Sequence, residues 1–276
     1  MTTCKHSPIR LLLTFALAAL ALSSPHKSAA QDAMTCTKEI TNAHMLGIGA
    51  TNILDTYLSP EKYKGADIRY ISHTLRNKPG KHWAQRIVHQ ANVSFANDRN
   101  DQGSLLGGLY TLDLAWLRRY DLADGRLLIR VGGMVDFNIG GLYNSRNQNN
   151  PSQIRLSMQI GPTASAECPF RLFGRQMHAG YELSVPLFGL MFSPNYGQSY
   201  YEIFTLGDYD HNAVPTTPFS APSLRHMLTI DTKIWGATLR IGYLGDIQQA
   251  EVNHLKQHWY THALLIGFVK QLKIWH

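Results

Sequence analysis

The feature that most constrains this chain is alternation. In the stretch IRLSMQIGPTASA, Ile154, Leu156, Met158 and Ile160 share one parity, while Arg155, Ser157 and Gln159 share the other. A strand sends successive side chains to opposite faces, so this segment has one apolar and one polar side. The pattern recurs from Leu127 to Ile139, Leu106 to Trp116, Met177 to Leu187 and Tyr260 to Phe268. No helical period of comparable strength follows the first thirty residues. Such a chain folds as sheet, and the question is whether the apolar face meets a protein core or lipid.

The alternation predicts ten strands, at 42–53, 66–76, 82–96, 104–120, 125–142, 152–166, 171–191, 222–235, 237–247 and 257–274. Strands of soluble proteins have about five or six residues, whereas a strand tilted across a bilayer needs about nine to eleven. Most of these runs reach the second figure. The connections alternate long and short: 54–65, 97–103, 143–151, 192–221 and 248–257 are long, and 77–81, 121–125, 167–170 and 235–236 are tight. Outer-membrane barrels sort their connections this way, with short periplasmic turns and longer outer loops. An even strand number also places both termini on one side. The expected fold is therefore an all-β, antiparallel, up-and-down transmembrane β-barrel of ten strands, with twelve as the variant count. On this reading the Ile154–Ile160 face touches lipid. The alternative is a soluble exported β-sandwich or ligand-binding barrel, in which that face is the core.

The N-terminus reads as a processing signal. Lys5, His6 and Arg10 precede an apolar run, Leu11 to Leu22, and Ser28-Ala29-Ala30 offers small residues for cleavage. Residues 1–30 are thus expected to be a cleaved signal peptide and 31–276 one barrel domain, exported to the outer membrane of a Gram-negative bacterium. Removing Lys5, Arg10 and Lys27 leaves 23 basic against 19 acidic residues, a net +4. Without a Lys/Arg run or a nucleic-acid motif, that balance gives no reason to expect a nucleic-acid partner. The expected partners are outer-membrane lipid, the barrel-assembly machinery and an extracellular ligand at the long loops. Cys36 and Cys168 would fall on the same side of the membrane, which allows a disulfide and equally leaves two thiols.

A ten-stranded barrel is narrow, so the lumen is expected to be largely filled by side chains. The inward parity carries Asp113, Arg119, Arg130, Asp136, Arg155, Glu182, Asp231, Lys233, Arg240 and Asp246. These read as a network of paired charges, or as a selectivity path or small polar site. The aromatic stretch Phe192–Asn212 is the most unusual loop. Tyr196, Tyr200, Tyr201, Glu202 and Asp208 there are candidates for partner binding, with a folded lid as the plainer reading. No His-x-Ser pair lies in the mature chain. His178, Glu182 and Ser184 do not substitute, because four residues of strand separate the first two by ~13 Å. A triad assembled across strands stays open. No Cys-x-x-Cys or His-Glu-x-x-His occurs, and Asp208, Asp210 and His211 read as a solvated loop rather than a cation site, so neither metal nor cofactor is expected.

Four stretches, LGIGATNILDTYLSPEKYKG, FSPNYGQSYYEIFTLG, LRIGYLGDI and HALLIGFVK, resemble an uncharacterised family of exported outer-membrane β-barrel proteins from Bacteroidota, a domain of unknown function. The resemblance spans nearly all of the mature chain and implies location and fold, with no catalytic residue to carry over. One departure is the C-terminus, where Trp275 is penultimate and His276 last rather than a terminal aromatic. The sequence thus favours a non-enzymatic envelope role: structural, loop-mediated binding or a narrow pore. A lipid hydrolase or acyltransferase is the alternative.

Overall fold

A computed structural model of the chain describes residues 38–78, 80–123, 125–147 and 150–274. The leader segment, Cys36 and hence the Cys36–Cys168 pairing lie outside the described residues.

Among the described residues the strands are β1 (Lys38–Asp55), β2 (Ser59–Asn77), β3 (Trp83–Asn97), β4 (Ser104–Leu122), β5 (Leu127–Asn144), β6 (Ser152–Leu172), β7 (Arg175–Ser184), β8 (Phe188–Phe192), β9 (Ala213–Thr216), β10 (Leu224–Ile234), β11 (Ala237–Val252) and β12 (Leu255–Ile274), with a short helix, α1 (Tyr200–Phe204), between β8 and β9. The sheet runs β5-β4-β3-β2-β1-β12-β11-β10-β7-β6 and closes through β5–β6, all antiparallel. Ten strands therefore form a closed up-and-down barrel, and β8 and β9 are two additions. Closure pairs the first strand with the last over the whole length of β1, from Lys38↔Ile274 to Asp55↔Gln257.

The barrel is polar inside and apolar outside. Ile48, Ile68, Phe95, Leu106, Ile139, Leu156, Tyr181, Leu228, Ile241 and Ile266, one on each barrel strand, are all exposed. Asp67, Arg69, Arg86, Asp113 and Asp136 are buried inside. A monomeric soluble protein rarely exposes an apolar patch beyond a few hundred Å², and here the apolar surface circles the wall. This is the outer-membrane type of β-barrel, in which every backbone group finds a partner within the sheet. The apolar Ile154–Ile160 parity lies on the outer face, and Arg155, Ser157 and Gln159 lie on the inner one.

Several expected boundaries shift. The first and ninth connections are not long loops. The β1–β2 turn is only 56–58, and β11 meets β12 at Asn253 and His254, both at positive φ. The ladder continues through these stretches, but exposed charged residues such as Glu61, Lys62 and Lys64 disguise strand as loop; these hairpins extend beyond the apolar belt. The sixth turn is Phe173–Gly174, at φ 51° and 72°, not 167–170. Cys168 consequently lies within β6, exposed, opposite Ala179. Positive φ at two consecutive positions is the hairpin turn whose twist matches the flanking strands, and the tight turn at Trp235–Gly236 repeats it, at 48° and 83°.

The expected strand 171–191 splits into β7 and β8 around Val185-Pro186-Leu187. Pro186 has no N–H to give the ladder, and the register on β6 slips by one residue, from Thr163↔Ser184 to Ile160↔Phe188. Below the slip β7 pairs with β10; above it β8 pairs with β9. The wall is thereby re-stitched at the loop end.

Candidate functional site

The middle of the lumen is filled by an ion-pair cluster drawn from seven strands. Arg86 of β3 donates to both carboxylate oxygens of Asp113 on β4, at 2.9 and 3.1 Å, and to Glu182 of β7 at 3.2 Å. Arg225 of β10 donates to Asp136 of β5 at 2.8 Å and lies within 4.0 Å of Asp113 and 3.6 Å of Asp246. Asp246 of β11 also accepts from Gln90 at 3.0 Å and faces Arg69 at 3.6 Å. On β2, Asp67 accepts from Arg69, and from Asn92 and Ser94 of β3. His73 Nε2 lies 2.9 Å from Glu182 Oε1. Charged donors and acceptors at such range form the stronger class of hydrogen bond, and the void beside Arg86 and Glu182 measures only about 30 Å³. Nothing larger than a water or two fits there.

Toward the termini the bore widens into a cavity of about 370 Å³, walled by the ion pairs Arg130–Glu167, at 2.7 Å, and Arg240–Asp231, at 2.6 Å. His178 and Lys233 face the same cavity. Toward the loops, Arg155 pairs with Asp55 at 3.0 Å and donates to Gln257. Above it the β8–β9 excursion folds as an aromatic lid. Tyr200 stacks on Phe204 at 5.8 Å and lies 5.7 Å edge-on from Tyr57. Its hydroxyl donates to Gln153 and accepts from the Ile154 N–H, both at 2.7 Å. Ile154 lies where β6 runs past the end of β8, so Tyr200 replaces the missing strand partner.

Of the ten residues read as a lumen network, Asp113, Asp136, Glu182 and Asp246 meet in the central cluster, Arg130, Asp231 and Arg240 line the terminal cavity, and Arg155 stands alone near the loops. Lys233 borders the terminal cavity as well, at its open end, and Arg119 belongs to neither set. Arg119 binds its own neighbour Asp121 at the terminal rim, half in solvent, and Lys233 is exposed. Both lie so close to the strand ends that parity no longer implies enclosure. The reading missed Arg86, Arg225, Arg69, Asp67 and His73. The signal was present, since each sits on the inward parity of its strand (Arg86 with Val88 and Gln90, Arg225 with Met227 and Thr229).

Within the lid, Tyr200 packs inward, while Tyr196, Tyr201 and Asp208 face solvent. Glu202 is tied up at home. Ser199 and Glu202 form a reciprocal capping box at the start of α1, which satisfies two orphan donors at once. These bonds from the Ser199 backbone and hydroxyl hold the Glu202 carboxyl below the usual carboxylate range. Burial pushes the Tyr57 phenol up to about 12, with the charges of Asp55 and Glu202 adding to it. Among the described residues, no three His, Cys, Asp or Glu side chains cluster as metal ligands.

Similar folds occur among solved structures. The transport unit of the autotransporter AIDA-I from Escherichia coli is 6% identical, with 96% of this chain and 99% of that one covered, at a TM-score of 0.36. The outer membrane protease OmpT from Escherichia coli is 6% identical over 89% and 99%, at 0.36. The translocator domain of the autotransporter NalP from Neisseria meningitidis is 10% identical over 94% and 95%, at 0.32. Likeness this slight carries no activity across. No curated protein matches the chain. Residues 11–276 match the family described as Protein of unknown function (DUF3316), and the chain belongs to that family.

Proposed function

We propose that this chain is an exported outer-membrane barrel of a Gram-negative bacterium, akin to barrels of Bacteroidota, whose lumen is sealed and which works by binding at its loop end. The observation that carries this reading is the central cluster. Arg86 and Arg225 hold Asp113, Asp136, Glu182 and Asp246 across the bore. The outward apolar belt supports lipid as its surroundings. The barrel-assembly machinery and an outer ligand at the long loops complete the set of partners. The test is conductance in planar bilayers. The purified protein is expected to insert without discrete steps, and steady open-channel steps would refute the sealed lumen.

One observation favours a second reading, a lipid-modifying enzyme. On the outer face His44, Ser72 and His89 fall on one ladder row across β1, β2 and β3. Directly opposed positions have Cβ atoms ~4.5–5.5 Å apart, so a hydroxyl is flanked by two imidazoles. Each imidazole Nδ1 is bonded to a tyrosine, His44 to Tyr70 at 2.6 Å and His89 to Tyr110 at 2.7 Å. The row carries no carboxylate to orient a base. Fatty-acid release from phospholipid in mixed micelles decides it: release that disappears in Ser72→Ala would favour the enzyme over the binding role.

A further inference from the structure

The outward face of the wall is not apolar all round. On β5 and β6 it runs from Val131 to Ile139 and from Ile154 to Ile160 without a polar side chain. On β1–β3 the same face carries a connected polar patch. His44, Ser72 and His89 oppose one another across the three strands. In the next outward row toward the termini, Asn42 opposes Thr74 and donates to it at 2.7 Å. In the next row toward the loops, the hydroxyls of Tyr70 and Tyr110 bind the two imidazoles at Nδ1. The patch lies within the apolar belt. Its central row ends on Phe268 at one side and on Leu112 at the other. Leu46 and Ile48 are exposed above it on β1, and Trp83 below it on β3.

Hydrocarbon offers such groups nothing. The Ser72 hydroxyl and the second ring nitrogen of His44 and of His89 have no partner among the described residues. A polar group in an apolar medium costs free energy until it is hydrogen-bonded, and inside a bilayer the bond must come from another protein. Polar and small side chains are what joins one spanning segment to another in lipid; Ser72 and Ala91 let a second wall come close. The chemistry also selects the partner. Hydroxyl, amide and neutral imidazole each both donate and accept, and no Asp, Glu, Lys or Arg belongs to the patch, so it is complementary to its own image. Exported copies share one orientation. An isologous contact about an axis along the membrane normal, centred on β2, sets Ser72 beside its own image and β1 of each copy against β3 of the other. The outward arc Tyr181–His226–Tyr243–His262 is built differently. Its rings touch one another at 5.7–6.2 Å, and Leu228 and Leu264 stand between them.

We propose that the outward polar patch of β1–β3 is a membrane-embedded interface between two copies of this chain. This rests on the lipid-facing wall and not on the loop-end binding role, and it assigns the His44–Ser72–His89 row to contact between copies rather than to lipid turnover. Two measurements on the full chain test it, both with the three native cysteines replaced by serine. In membranes, mild oxidation should cross-link Ser72→Cys into a dimer and leave Leu156→Cys, on the apolar face of β6, as a monomer. In liposomes, Förster transfer between copies labelled at Tyr209→Cys, on the exposed part of the lid, should fall as lipid is added and so give a dissociation constant. Asn42→Leu, Ser72→Ala and His89→Leu together make the patch as apolar as the rest of the wall. They should weaken the dimer at least tenfold and leave the heat-resistant gel form intact, since apolar outward side chains suit lipid. No cross-link at Ser72→Cys, cross-linking equally strong at Leu156→Cys, transfer unaltered by the triple variant, or transfer lost in Tyr243→Phe with His262→Leu instead would each overturn the proposal. Conductance reads the lumen separately: a silent monomer would refute only the interface, and a conducting dimer only the seal.

Discussion

The middle of the lumen and its loop end are both polar, yet they are built on different rules. In the middle, charge answers charge: Asp113 has Arg86 on one side and Arg225 on the other, and Asp246 has Arg225, Arg69 and Gln90. The groups seal the bore and leave about 30 Å³. At the loop end one ion pair is surrounded by amides and hydroxyls, and an indole N–H is left over. The contrast teaches that buried polarity has two uses in a barrel of this width. A dense charge cluster holds the strands together and closes the path. A lining of amides and hydroxyls around one ion pair leaves a small space, of about 50 Å³, open at the loop end.

The largest effect should come from breaking the charged half. Arg225→Ala leaves Asp136 without its arginine and Asp113 and Asp246 each with one fewer. Removing one partner of a buried charge network costs about 3–5 kcal/mol. The variant should lose its heat-resistant gel form at a markedly lower temperature and show conductance where the parent shows none. Unchanged melting and a silent bilayer would mean that the cluster does not seal the bore.

At the loop end, Gly107→Ala is the next test. A Cβ there would lie 2.6 Å from Trp259 Cη2, so the indole must move. Overpacking of this kind costs about 1–3 kcal/mol, and the expected result is lower thermal stability with the bore still closed. If conductance rose as well, the two regions would not be independent. Tyr200→Phe should cost about 1 kcal/mol, the value of an ordinary net hydrogen bond, and should speed amide exchange at Ile154 while leaving exchange in the central strands as it was.

The smallest effect is with pH, and it should touch the lid alone. The folded-state value of Tyr57 is raised from 10.0 to about 12, so its contribution is complete below pH 10 and is lost as pH climbs toward 12. The lowered value of Glu202 works the other way: its share is complete above the unfolded value and is lost as pH falls below it. The near-UV circular dichroism of the stacked aromatics should therefore be flat at neutral pH and fade at both extremes, with the gel shift of the barrel intact throughout. Loss of the gel shift along with the aromatic signal would tie lid and barrel into one cooperative unit.

The sequence by itself determined the closed sheet and its polarity. Parity is a local property, because a side chain's face follows from its position along one strand. Arg130, Asp136 and Arg155 could therefore be placed inside, and Ile154 to Ile160 outside, before any partner was known. The same parity carried Arg86 and Arg225, so the cluster's members were legible even where they went unread. Their pairing was not. That Arg225 meets Asp136, 89 residues away, or that His73 rather than His178 meets Glu182, depends on strand register and on which strands face each other across the bore, and alternation says nothing of either. The strand ends were also hidden, since a hairpin that leaves the membrane keeps its ladder while its composition turns polar like a loop. Only the tertiary structure decided that β8 and β9 re-stitch the wall above Pro186, that Tyr200 completes the edge of β6, and that Arg155 and Trp259, 104 residues apart, bring unpaired donors to one cavity. Each of these is a contact across the sheet, and such contacts exist only once the barrel has closed.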